Sequence, residues 1–265
     1  MSEAYENEPT YSADKELVDS IKMECSSISP AEQQAISQFA KYSKNLILEE
    51  FGNHISQEKK DNLEKVTDHF VIMDIDHFEK FKEAWLPEIN FGKQSLENGG
   101  YYFRMGDVIA VRDNMDIIKQ VSEAAYKQNY FPPGMTRDVY EKRLMLTMTA
   151  DIIIHELIHY SQNMPDEKGK ENVLKMMCFI ECGASYATEK ILRDTLPKVR
   201  LQEPEFNQVR VKKFEKLLEV YGDGVLDVCF GNYEKGTSEE KEVEKLRDEI
   251  YKEFDLYEMA RLGLI

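Results

Sequence analysis

The segment Asp151-Ile152-Ile153-Ile154-His155-Glu156-Leu157-Ile158-His159-Tyr160 sets the tightest limit on what this chain can become. Its aliphatic residues make a helix apolar nearly all round, and such a helix belongs inside a protein. On a 3.6-residue helix, positions four apart differ by ~40° in azimuth, so His155 and His159 point to one side, one turn apart. Glu156 lies ~100° round from His155. Left dry and unpartnered, these three polar groups would be costly. Backbone hydrogen bonds to two core histidines, with Glu156 in a salt bridge, would meet the demand. A divalent cation gripped by both imidazoles meets it in one step.

Five histidines and 33 glutamates in 265 residues make the spacing uncommon; chance supplies His-Glu-x-x-His about 0.01 times in such a chain. A catalytic zinc ion held by two histidines needs a third protein ligand and an open fourth position, and Glu156 then stands where a general base contacts metal-held water. His54, His69 and His77 all precede the motif, and Gln162 replaces the glycine of the metzincin pattern. Two carboxylates compete for the third place. Glu181 lies in Phe179-Ile180-Glu181-Cys182-Gly183-Ala184-Ser185-Tyr186-Ala187, on a helical face shared with Met177, Cys178 and Ala184, while Asp166 lies in the turn Asn163-Met164-Pro165-Asp166. Cys178 and Cys182 are also one turn apart, but a thiolate-rich site would be closed and would leave Glu156 without a task. Small buried hydrophobes are the alternative for both cysteines.

Residues 151–187 resemble the gluzincin metallopeptidases, whose pattern is HExxH followed, on a second helix, by a glutamate ligand with small residues after it. Glu181-x-x-Ala184-x-Tyr186 is similar to the Glu-x-x-Ala-x-Tyr signature of several members. The resemblance implies one Zn2+ ion on His155, His159 and Glu181, Glu156 as general base, and hydrolysis of peptide bonds by activated water. Two departures stand out. Cys182 replaces a common glycine, and Ser185 occupies the place where thermolysin-like members carry an aspartate that steadies a ligand histidine, so that support is expected from elsewhere. Tyr160, Tyr186 and Tyr233 are candidate donors to a transition-state oxyanion, each with a core or surface role as its alternative. His-Glu-Leu-Ile-His also occurs in clostridial neurotoxin light chains, which keeps an effector- or toxin-like protease acting on one host protein in view. The competing class is a non-catalytic interaction protein with a zincin-like core.

The expected fold is α+β and predominantly helical: a zincin-like domain with a small twisted sheet and a helical C-terminal lobe. Residues 1–12 are expected as a loose tail, 13–60 as a helical segment packed on the core, and 61–265 as the catalytic domain, with its sheet within about 70–165 and its helical lobe over about 166–265. Ser29-Pro30-Ala31-Glu32 opens a helix with Ile36, Phe39, Ala40, Ile47 and Phe51 on one face and a stop at Gly52-Asn53. Phe70 to Ile75 reads as a strand, a short helix runs through Phe78, Phe81 and Trp85, and Tyr101 to Val111 reads as a strand or hairpin. The strand from Met105 to Val111 is similar to the sheet edge along which zincins hold an extended peptide or protein substrate. Arg143 to Tyr160 is either a strand feeding a helix or one helix. Helices are expected over 171–196 and 207–221, and a last one opens at Thr237.

Fifty acidic against 34 basic residues leave a net charge of −16. Such a field repels phosphate backbones and anionic lipid, so neither nucleic acid nor membrane is an expected partner, and basic substrate segments are weakly favoured. No apolar run approaches the ~18 residues of a membrane helix. Four cysteines do not make a disulfide framework. The acidic N-terminus lacks the basic and apolar regions of a secretory signal, which points to a cytoplasmic protein with signal-independent export still open.

Overall fold

The computed structural model describes residues 30–66, 70–73, 100–103, 108–112, 134–162, 170–196 and 205–232, with isolated helical positions between 119 and 127 and between 241 and 252. Expectations for residues 1–29, the helix through Trp85, His69, His77, Asp166, Tyr233 and most of the last helix lie outside the described residues. Helix α1, Pro30–Phe51, buries Ala40, Ser43, Ile47 and Phe51, a spacing of three or four that keeps one face inward. It stops at Gly52, whose amide donates to the Leu48 carbonyl at 3.0 Å. Any side chain at Gly52 would run into that carbonyl. Helix α2, Gln57–Val66, buries Leu63.

Three strands follow, β1 Phe70–Met73, β2 Gly100–Phe103 and β3 Val108–Arg112. They pair in the order β1-β3-β2, with β1 parallel and β2 antiparallel to β3.

Helix α3, Arg137–Ser161, is one uninterrupted helix. Thr136 caps it, its hydroxyl oxygen accepting from the Val139 amide at 3.4 Å. Its two halves differ: Val139 and Leu146 are exposed, whereas Ile153, Ile154, Leu157 and Ile158 are buried. Full burial of each aliphatic side chain contributes about 1.5–3 kcal/mol. Helices α4, Lys170–Thr195, α5, Glu205–Tyr221, and α6, Gly224–Phe230, complete the described body. Gly231 ends α6 at φ 71°, a left-handed conformation suited to glycine. α1, α2 and α4 pack on α3, α5 packs on α4, and α6 touches both α4 and α5. Ring pairs tie these layers, Phe51 to Phe230 at 5.5 Å and Phe179 to Phe214 at 6.0 Å between centroids.

The fold class differs from the expected one. Among the residues whose side chains are described there is no strand, and the hydrophobic core is built from helices and their immediate turns. The body is a helical assembly, not an α+β zincin-like domain organised on a small twisted sheet. The physical reason lies in α3: its C-terminal half is apolar nearly all round, and helices supply cover for it on several sides. The expected substrate-binding edge is also corrected. β3 sits between β1 and β2, so its backbone groups are committed on both sides and offer an extended chain nothing to pair with. No described helix is long and apolar enough to cross a membrane.

Candidate metal centre

The last two turns of α3 face the middle of α4, and three donor groups meet across that contact. His155 Nε2 lies 3.6 Å from Glu181 Oε2, and His159 Nε2 lies 3.3 Å from Glu181 Oε1. One ligand atom from each residue falls within 4.8 Å of the others, a grouping that could hold a metal ion. The two imidazoles stand edge to face with centroids 4.5 Å apart, as an i, i+4 pair on one helical face allows. Cys178 and Ala184 on α4 are fully buried, so the face that carries Glu181 turns inward. Glu156 is 6% exposed, which withholds its carboxylate from bulk solvent.

The electrostatics follow from this crowding. Burial pushes the His155 imidazole down to about 4, helped by the charge on His159 and only partly opposed by Glu181. Burial also acts to lower His159, but the Glu181 carboxylate, with help from Glu156 and Gln162, outweighs it and raises His159 to about 9. Burial alone would raise Glu181; the charge on His159, hydrogen bonds from both histidines and Arg210 together hold it well below the usual carboxylate range. Without metal, then, one proton shared around His159 and Glu181 supplies the positive charge that the carboxylate needs.

Two residues that sequence reasoning missed complete the site. Gln162, the C-terminal cap of α3, accepts a hydrogen bond from His159 Nδ1 at 2.8 Å. Its amide nitrogen donates to the Ile180 carbonyl at 3.1 Å and to Cys229 Sγ at 3.1 Å. Arg210 on α5 donates from Nη1 to Glu181 Oε2 at 3.0 Å. A signal for each was present. Gln162 follows a candidate ligand by three positions, within side-chain reach on a helix. Arg210, Val211, Phe214 and Leu217 share the buried stripe of α5, and a guanidinium on such a stripe requires an anion. Asp151, one turn before His155, is raised to about 6 by burial and by Glu189, against the pull of Arg210.

Tyr160 donates its hydroxyl to the Asn62 carbonyl at 3.2 Å, and Tyr186 stacks on Phe214 with centroids 5.1 Å apart. His54 pairs with Asp227 through Nδ1 at 2.8 Å, away from the motif. Cys178, Cys182 and Cys229 are buried free thiols. Burial pushes the Cys182 thiol far up and Cys229 to about 12, which disfavours the thiolates that a sulfur-ligated metal requires. Two imidazole nitrogens and one carboxylate form a donor set suited to zinc. Ser185 is buried, and the partner of His159 Nδ1 is Gln162. No family model, no curated protein and no solved structure matches this chain.

Proposed function

We propose that the chain is a zinc-dependent peptidase in which His155, His159 and Glu181 hold one ion and Glu156 is the general base. The observation that carries this reading is the meeting of the three donors from two helices within 4.8 Å, with a buried glutamate next to the first histidine. Zinc bound there would supply Lewis acidity, acidifying water and polarising a carbonyl. Glu156 takes the proton from the attacking water and returns it to the leaving nitrogen. Its charge already acts on His159, so its carboxylate lies within electrostatic reach of the donors. Arg210 and His159 hold Glu181 as an anion, the form that a ligand needs. In this reading the substrate is a polypeptide, whose leaving amine takes the proton that Glu156 returns.

The test uses purified protein, zinc analysis and an unfolded generic substrate, with wild type beside Glu156→Gln. The wild type is expected to hold one zinc per chain and cut. Glu156→Gln should hold the same zinc and lose about 10²–10⁴-fold in kcat. Bound zinc with no cleavage by either protein would favour the non-catalytic interaction protein, and no zinc binding at all would remove the metal centre.

A further inference from the structure

We infer that Gln162 is a positioning residue for the metal site, fixing which nitrogen of His159 faces the donors and how far α4 stands from α3. The inference rests on the zinc reading above. Each end of one buried amide must point in a fixed direction.

Gln162 is 1% exposed, so solvent cannot satisfy its amide. Its nitrogen end faces the Ile180 carbonyl, an acceptor only, and therefore the oxygen end faces His159. An amide oxygen cannot donate, so the hydrogen between them sits on His159 Nδ1. That leaves His159 Nε2 to face Glu181 Oε1, where it stands at 3.3 Å. When the Nε2 proton gives way to a metal, the Nδ1–H tautomer is thus the one left, and Gln162 adds no charge to the site.

The other end of Gln162 does a second job. Ile180 directly precedes Glu181, so the bond to its carbonyl ties the end of α3 to the turn of α4 that presents the carboxylate. Cys229 on α6 closes the same nitrogen from a third helix. Gly183 makes this meeting possible: a Cβ there would run into Cys229 Sγ and come within 3.3 Å of the Gln162 amide nitrogen. One amide therefore joins both ligand-bearing helices to the element behind them.

The experiment compares wild type, Gln162→Leu and Gln162→Glu by zinc competition against a chromophoric chelator and by the visible spectrum of the cobalt-substituted proteins. Gln162→Leu is expected to lose about 10–100-fold in zinc affinity and to shift its cobalt bands, the usual consequence of removing a partner from a ligand histidine. Gln162→Glu keeps an acceptor oxygen at the same reach and should hold zinc at least tenfold more tightly than Gln162→Leu. Equal affinity in wild type and Gln162→Leu overturns the role, as does equal weakening in both variants, which would leave only helix packing. Should Gln162→Leu fail to fold, nitrogen NMR of zinc-loaded wild type decides: Nε2 metal-bound with a slowly exchanging Nδ1–H on His159 supports the role, and ligation through Nδ1 ends it. Failure of wild type to bind zinc sinks the metal centre itself and this role with it, a result distinct from equal binding by the variants.

Discussion

The three donor side chains hold one titratable proton between them at neutral pH, and its place governs how a cation would enter. His155, held near 4, is neutral at pH 7, whereas His159, raised to about 9, keeps its proton. A metal ion must displace that proton. Zinc affinity is therefore expected to rise about tenfold per pH unit between roughly pH 6 and 9, with close to one proton released per ion. Zinc titrations by calorimetry in buffers of different ionisation enthalpy measure this directly, and a slope near zero would mean that His159 is neutral before binding. Arg210 gives a second test at the same scale. It supports Glu181 through a 3.0 Å bond, so Arg210→Met should destabilise the metal-free protein by about 1–3 kcal/mol, because a half-buried carboxylate loses a charged donor. Added zinc should recover much of that loss by supplying counter-charge. Denaturant unfolding with and without zinc reads both values; an equal loss in the two states would assign Arg210 to packing alone.

Helices, more than individual contacts, decide which of these groups meet. α3 presents its two histidines because positions four apart coincide on one face, and this was legible from spacing alone, as was Glu181 from its inward face on α4. Gln162 and Arg210 were not read, since their roles depend on where α3 ends and on α5 lying behind α4, which are tertiary facts. The strand reading at 105–111 failed as a docking edge for a similar reason: β-branched texture marks a strand but says nothing of its place in the sheet order. α3 also carries a cost. Asp151 binds its proton more tightly folded, at about 6, than an unfolded aspartate near 3.9 would. Stability from this group is present below about pH 4 and is lost as pH rises through about 6. Asp151→Asn removes the charged form, so the metal-free variant should exceed wild type by about 1 kcal/mol at pH 7.5, after discounting for partial exposure, and match it at pH 4. Urea unfolding at the two pH values checks this, and no gain at pH 7.5 would show that Arg210 offsets the burial of Asp151.

Taken as a whole, the chain carries a net charge of −16, and self-repulsion of that size works against the compact state in which helices pack around α3. The candidate site lies between α3 and α4 and is braced by α5 and α6 through Arg210 and Cys229, so it touches four helices. An ion bound there would therefore stabilise the assembly and not a single loop. At a free zinc concentration of about 100 times Kd, binding to the folded state alone adds about 2.7 kcal/mol. For a chain of this size that corresponds to a rise in Tm of about 5–10 °C. The same shift should appear in Glu156→Gln, whose ligands are intact, and in Asp166→Ala, but not in Glu181→Ala. Differential scanning calorimetry of the four proteins, each with zinc and with chelator, separates the possibilities. A shift that survives Glu181→Ala and vanishes in Asp166→Ala would hand the third place to the aspartate. A zinc-dependent shift in none of the four would leave the carboxylate contacts of His155 and His159 as ordinary ion pairs of a helical core.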